Sequence, residues 1–402
     1  MQILYDILLT IICLYSLYFI IYGVIALFRK IKKPSQNPVK QHFAILIPAT
    51  NEEMVVGNLL DSLAEQNYPK DKYDVYVVIN NSTDHTEEIV EKHGVHVIEC
   101  HVSVHSKGDA LHYAFRVLKK HKEIDYYIIL DADNLADIDF LKNMNDACHD
   151  KDIVQGRRIG KNGTDNAISG CYEMFYVMQN IYFNHARTVW NQSAVLNGTG
   201  WAVRKQWLEE TGYPVKTITE DLEFSAIAAM DHVQIGYAHN ACTFDEYPNT
   251  LHKVFNQLVR WIFGQVQGLR YYEGALLKDA FHGNHGSWDM ALVFIMPVIT
   301  ICSIIWVVWT IFLPVGYPFL TTWMSTHFWV LAITGYLAAV LVCILGMLKE
   351  RLPVRKLFKG SLLFPVFMML WVPVVIVCLF KREVVWKPVE HDRAVRIEDI
   401  DE

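Results

Sequence analysis

Two acidic clusters and one Gln-Arg-Trp cluster are where this chain of 402 residues could do chemistry. Asp131-Ala132-Asp133 sets two carboxylates one residue apart, directly after the apolar run Tyr126–Leu130. Two carboxylates leaving a buried strand form a seat for a hard divalent cation on a phosphate ligand. The same tripeptide could instead be a solvated turn that caps the next helix. Thr219-Glu220-Asp221 follows a Tyr213-Pro214 turn. It reads as a helix start, with Thr219 as cap and acids in the first turn. One of those carboxylates, Asp221, could still point into a cleft as a general base. Gln257, Arg260 and Trp261 are spaced three and four apart and share one helical face. Arg260 suits a phosphate and Trp261 offers a flat surface for a ring to stack on. The alternative is an interfacial helix with Trp261 at headgroup level and Arg260 snorkelling.

Two weaker signals accompany these. Lys107, in Ser106-Lys107-Gly108-Asp109, precedes a helical pattern, and a lysine beside free N–H groups suits a diphosphate. Asn197-Gly198-Thr199-Gly200-Trp201 is a glycine-bracketed turn that permits close approach of backbone to a ligand, or a plain bulge.

The elements that must position these residues alternate. Strand patterns at His42–Ile47, Val75–Ile79, Val95–Cys100 and Tyr126–Leu130 are separated by helical patterns at Met54–Gln66, Thr86–Lys92 and Asp109–His121. The alternation predicts an α/β domain, a parallel sheet with helices on both faces. Ligands of such sheets sit beyond the carboxyl ends of the strands. Asn51, Glu52, Asn80, Asp84, Asp131 and Asp133 fall there.

Four runs, Leu8–Phe28, Met290–Leu313, Phe328–Met347 and Leu362–Phe380, contain no Asp, Glu, Lys, Arg or His. Each approaches the roughly 20 residues that cross a bilayer core, so a soluble single-domain protein is excluded. A net charge of −7 without a long basic stretch argues against nucleic acid as a partner. The eight cysteines show no CxxC spacing, which fits reduced thiols. Arg29-Lys30-Ile31-Lys32-Lys33 after the first run predicts an outer N-terminus and an inner middle domain. The uncharged loop Pro314–His327 then lies outside, and Lys349, Arg351, Arg355, Lys356 and Lys359 lie inside. For Leu362–Phe380, hydropathy predicts a span, whereas Lys381-Arg382 behind it and Pro365 and Pro373 within it predict a re-entrant or interfacial segment.

Taken in order, Pro48-Ala49-Thr50-Asn51-Glu52, Asn80-Asn81-Ser82-Thr83-Asp84, Lys107-Gly108, Asp131-Ala132-Asp133, Thr219-Glu220-Asp221 and Gln257-x-x-Arg260-Trp261 resemble the motifs of the membrane-bound, inverting family 2 glycosyltransferases. That group includes poly-N-acetylglucosamine, hyaluronan, chitin-oligosaccharide and cellulose synthases. The resemblance covers about residues 40–270. It implies a cytoplasmic GT-A (Rossmann-like) domain at 29–250, inserted between an N-terminal membrane helix (1–28) and amphipathic interface helices at 251–289. C-terminal membrane segments (290–380) and a tail (381–402) complete the implied layout. By resemblance, Pro48, Asn51, Glu52, Asn80, Asp84 and Lys107 contact a UDP-sugar, and Asp131 and Asp133 hold Mg²⁺ or Mn²⁺. Asp221 would deprotonate the acceptor. Gln257, Arg260 and Trp261 would hold the diphosphate and acceptor, with Glu220 and Trp201 completing the substrate-binding set. Many relatives carry Asp where this chain has Asn80, which leaves the nucleotide preference open. Trp386–His391 resembles a loop that closes over the nucleotide from the cytoplasmic side, which would keep the tail inside. The implied activity is a processive synthase in the plasma membrane that adds glucose or N-acetylglucosamine to a β-linked polysaccharide and exports it. The alternative is a non-processive transferase that glycosylates a membrane lipid, as ceramide glucosyltransferases do. A non-enzymatic sensor of UDP-sugars is disfavoured by the intact acidic residues. The sequence names no protein partner.

Overall fold

The computed structural model describes residues 2–31, 37–101, 104, 106–214, 216–312, 326–381, 384 and 394–400. Most of the loop Pro314–His327 and the tail segment Trp386–His391 lie outside the described residues. The chain divides into two compact units. One comprises Ile31–Asn162, Asn191–Tyr247 and Val384–Glu402, and the other Met1–Lys30, Gly163–Trp190 and Pro248–Glu383.

The first unit is built on a sheet of eight strands: β1 (Phe43–Ala49), β2 (Tyr73–Ile79), β3 (His96–Glu99), β4 (Tyr126–Ile129), β5 (Leu135–Ala136), β6 (Ile153–Gly160), β7 (Trp201–Arg204) and β8 (Ile235–Asp245). Their order is β3-β2-β1-β4-β7-β6-β8-β5. The first four strands pair in parallel, as the βα alternation predicts. The second half corrects the expectation of a wholly parallel sheet. There β7 runs antiparallel to both β4 and β6, and β5 runs antiparallel to β8. Only β6 and β8 are parallel to each other, with a bulge between Gly156 and Arg157.

Burial explains the central strands. β1 and β2 are nearly continuous Val, Ile, Leu and aromatic runs, buried on both faces as strands covered by helices are. Leu59, Leu60 and Leu63 of the helix Val56–Ala64 face the same core, joined by Phe140, Leu141 and Met144 of the helix Phe140–Ala147. Gly156 sits where two backbones close in: a Cβ there would lie 2.8 Å from the carbonyl oxygens of both Ala241 and Gly200. Only glycine lets that bulge form.

In the other unit, three helices are long and apolar enough to cross a membrane by length and composition: Gln2–Phe28, Trp329–Glu350 and Val354–Phe380. A fourth candidate is a bent pair, His285–Phe294 and Met296–Phe312, at 52°. So Leu362–Phe380, the run with conflicting sequence signals, is part of a helix long enough to span, and the bend falls in Met290–Leu313. Pro297 supplies the reason. Proline cannot donate to the carbonyl four residues back, and its ring crowds that carbonyl. The carbonyl of Val293 accepts instead from Gln265 Nε2 at 2.6 Å. Gly163–Trp190 packs with the apolar helices, although the sequence reads as one block there. Gly170, on the helix Ala167–Val177, and Gly360 meet backbone to backbone; a Cβ on Gly360 would lie 2.5 Å from the Gly170 carbonyl carbon. A buried pair, Arg187 Nε to Asp289 Oδ2 at 2.9 Å, is completed by the Tyr18 hydroxyl donating to Asp289 at 2.7 Å.

Candidate active site

The carboxyl ends of β1, β2 and β4 carry the predicted polar residues. Asn51 adopts a left-handed conformation (φ 58°), which asparagine tolerates better than most residues. Its side chain accepts from the Thr83 N–H at 2.8 Å, and its own N–H donates to Ser82 at 3.2 Å. Asp84 accepts from the Glu53 N–H and from the N–H and hydroxyl of Thr86. Partial burial opposes its charge, but the hydrogen bonds from Thr86 and Glu53 outweigh that and hold its carboxyl below the usual range. Asp84 therefore ties the loop after β1 to the loop after β2. Asn80 is buried and accepts from Asn81. Pro48 lies within the last turn of β1 pairing, opposite Val78.

Lys107 opens the helix Lys107–Leu118, whose cap is the Ser106 hydroxyl accepting from Asp109 N–H at 3.2 Å. Its ammonium is the cationic centre of the site. It donates to Asp131 Oδ1 at 2.5 Å and to the Gly198 carbonyl at 2.7 Å, and lies 3.8 Å from Glu220 Oε1. Burial works against its charge, but Asp131 and Glu220 outweigh that and raise its pKa above the ordinary lysine value, so it stays charged. Asp131 and Asp133 form the turn after β4. The Asp131 N–H donates to Thr199 Oγ1 at 2.9 Å and to Asn134 Oδ1 at 3.1 Å.

Glu220 and Asp221 start the helix Glu220–Met230. Thr219 holds the cap position, yet its hydroxyl caps nothing and has no partner among the described residues. Glu223 turns back to accept from the N–H groups of Lys216 and Thr217 at 2.7–2.8 Å. Burial pushes both Glu220 and Asp221 upward; Lys107 pulls both back, and Arg158 also pulls on Asp221. A carboxyl whose pKa is raised by burial is a stronger base than an ordinary one.

Behind these groups lies a layer that the sequence pattern did not single out. Arg158 Nε donates to Asp245 Oδ2 at 2.5 Å, and Arg158 Nη1 to the Asn197 carbonyl. Asn134 Nδ2 donates to Asp245 Oδ1 at 2.8 Å. Burial pushes Asp245 up to about 7 despite Arg158, and the neighbouring Asp133 and Asp131 add to that. Lys161 donates to the Asp133 carbonyl at 3.1 Å and lies 3.3 Å from Glu246. The signal that could have found them is a charged residue inside a strand-like run: Arg158 in Ile153–Gly160 and Asp245 ending Ile235–Asp245. Trp201 is fully buried on β7, its ring 5.4 Å from Phe224, with Nε1 unpartnered among the described residues.

Asp131 and Asp133 suit a hard cation. Both offer carboxylate oxygens on one turn, and the Asp131 side chain, although paired with Lys107, is 37% exposed. Among the described residues no group of three or more His, Cys, Asp or Glu could enclose an ion. Such an ion would complete its coordination with ligand oxygens.

Gln257, Arg260 and Trp261 belong to the other unit, on the helix Leu251–Phe281. There the Tyr172 hydroxyl donates to Gln257 Oε1 at 2.6 Å. Trp261 stacks on Phe175 at 5.7 Å, and Phe175 stacks on Trp371 at 5.4 Å. Arg260 is half-buried and makes no ion pair among the described residues.

Comparison with known proteins gives the site its context. The sequence profile of the family "Glycosyltransferase like family 2" matches residues 40–264. A β-monoglucosyldiacylglycerol synthase of Nostoc sp. is 26% identical over 276 residues, covering 64% of this chain and 57% of that protein. This chain thus spans a little over half the length of that relative. The probable glycosyltransferase YdaM of Bacillus subtilis is 25% identical over 384 residues, covering 87% of this chain and 86% of that one. Among solved structures, the mannosyltransferase PcManGT of Pyrobaculum calidifontis, in complex with GDP-Man and Mn²⁺, superposes with a TM-score of 0.58. It is 16% identical, over 90% of this chain and 99% of that one, so the two share a fold.

Proposed function

The chain belongs to glycosyltransferase family 2 and is a glycosyltransferase of GT-A fold, and from that premise we propose that it is a membrane-anchored, inverting transferase that moves a hexose from UDP-hexose to the hydroxyl of a membrane lipid. One arrangement carries the reading: a cationic pole at Lys107 and Asp131 and a raised carboxyl at Asp221, joined by the single turn Asn197–Gly198.

Displacement at an anomeric carbon needs a nucleophile relieved of its proton and a leaving group relieved of its charge. Asp221 accepts the proton of the acceptor hydroxyl. Lys107, held by Asp131, donates to the oxygens of the departing diphosphate. Attack opposite the leaving group inverts the configuration. Asp131 and Asp133 would hold Mg²⁺ or Mn²⁺, which supplies further charge neutralisation on the diphosphate. Asn51, Glu52, Asn80 and Asp84, with Pro48, line the nucleotide side, where Asn80 brings hydrogen bonding without charge. Glu220 sets the field around Lys107.

The lipid acceptor draws support from the name of the Nostoc relative and from the apolar helices. Polysaccharide synthesis is the second reading, favoured by Gln257-x-x-Arg260-Trp261 and the aromatic stack of Trp261, Phe175 and Trp371. In both readings the sheet-bearing unit is cytoplasmic and the N-terminus outside, following Arg29, Lys30, Lys32 and Lys33. The test uses purified full-length protein with UDP-glucose or UDP-N-acetylglucosamine, Mg²⁺ or Mn²⁺, and diacylglycerol in mixed micelles. UDP release with a product of one sugar per lipid is expected. A long polymer would shift the reading to a synthase. UDP release from no donor would sink it.

A further inference from the structure

We propose that the side-chain amide of Asn197 hydrogen-bonds the transferred sugar of the donor and so selects which sugar is accepted. This rests on the donor reading above.

The backbone of Asn197 is held from both sides. Its N–H donates to Gln155 Oε1 at 3.0 Å, and its carbonyl accepts from Arg158 Nη1. Gln155 is fully buried and donates in turn to the Thr199 carbonyl at 2.9 Å. The turn is therefore fixed on well-packed strands. Its side chain is treated differently. Both Oδ1 and Nδ2 are shielded from solvent and have no hydrogen-bond partner among the described residues. Burying an amide without partners is unfavourable. A fold that rigidly clamps the backbone and leaves the amide unpaired has prepared it for a polar ligand.

Position says which part of the ligand. The next residue, Gly198, accepts from the Lys107 ammonium at 2.7 Å, the group assigned to the diphosphate. A Cβ placed on Gly198 would lie 3.8 Å from Asp221 Oδ2, the group assigned to the acceptor proton. The φ of +98° at Gly198 is one that glycine adopts freely, and a Cβ there would also crowd Arg158 Nη1 at 3.2 Å, so the position carries no side chain. The anomeric carbon must lie between leaving diphosphate and attacking hydroxyl, so the sugar ring is what Asn197 meets. An amide offers one acceptor and two donors without charge. That matches hydroxyl or acetamido groups, and it leaves phosphate to Lys107. Sites that hydrogen-bond a substrate group discriminate strongly against analogues that cannot return the bond.

The experiment measures UDP release by purified full-length wild type, Asn197→Ala, Asn197→Ser and Asn197→Asp. Donors are UDP-glucose, UDP-galactose and UDP-N-acetylglucosamine, alongside UDP affinity and melting temperature. Asn197→Ala should keep UDP affinity within about twofold and lower kcat/KM for the preferred donor by about 10- to 100-fold. The preference between best and second donor should shrink by about tenfold. Melting should not fall, because no bond within the protein is lost. Asn197→Asp keeps the shape and should rerank the donors, and with Asn197→Ser it carries the test if the alanine variant does not fold. An equal loss on every donor, an equal loss of UDP affinity, or unchanged donor preference in all variants overturns the assignment while leaving the transferase reading intact. A wild type that turns over no donor overturns the donor reading itself.

Discussion

Replacing Lys107 by methionine keeps the aliphatic stem and removes the ammonium that three site groups share. The effect on stability can be worked from the structure. At 3.8 Å from Glu220, and with an effective dielectric of about 20, the lost attraction is about 4 kcal/mol. The Asp131 contact adds less, because that carboxylate is 37% exposed. With the lysine present, burial already holds Glu220 at about 7. Each 1.4 kcal/mol of lost attraction moves it roughly one unit higher. The sign follows from linkage. A carboxyl that titrates higher folded than unfolded binds more protons in the folded state, so stability falls as pH rises from the unfolded value to the folded one. The variant extends that fall upward. At pH 5.5 Glu220 is protonated in both proteins and the deficit should be about 1 kcal/mol. By pH 8.5 it should reach about 2–4 kcal/mol, or about 5–15 °C in melting temperature for a unit of this size. Tryptophan fluorescence melting of the full chain in detergent at pH 5.5, 7 and 8.5 measures this. A deficit that is absent, or equal at all three pH values, would refute the placement of Lys107 beside a buried, raised carboxyl.

Three further outcomes are expected. Asp221→Asn should lower the rate of UDP release by about 10²–10⁴-fold with UDP affinity unchanged; more than a tenth of wild-type rate would remove Asp221 as the base. Chelating divalent ions should abolish turnover, and Asp131→Asn and Asp133→Asn should each require more Mn²⁺ for half-maximal rate; turnover indifferent to chelator would rule out the cation seat. Gly156→Ala forces a methyl group against two backbone carbonyls 2.8 Å away and should cost about 1–3 kcal/mol, read as a lower melting temperature. An unchanged melt would mean that the bulge can relax.

The sequence alone determined whatever rests on local period and on the ends of elements. Apolar runs without charge marked the long helices, and three of them are long and apolar enough to cross a membrane. The alternation from His42 to Leu130 yielded the four parallel strands, because β1, β2 and β4 are buried Val, Ile and aromatic runs bounded by turn residues, while β3, exposed at His96 and Glu99, lies at the sheet edge. Asp131 and Asp133 were legible because they end such a run, and Glu220 and Asp221 because helix starts have their own composition.

The tertiary structure decided the rest. β5 has two residues, too short to show a period, and β7 follows directly on a glycine-bracketed turn outside the βα alternation; what makes them strands is pairing with β8 and with β4 and β6. That pairing turned an expected parallel sheet into a mixed one. Gly163–Trp190 sits with the apolar helices through contacts such as Gly170 with Gly360, which no local pattern foretells. At the site, Lys107 meets a carboxylate 24 residues away, and Arg158 meets one 87 residues away. Periodicity records which face of an element is buried. It carries no record of which distant charge will share that burial: burial raised Glu220 and Asp245, the carboxylates brought to Lys107 kept it charged, and packing left the amide of Asn197 without a partner among the described residues.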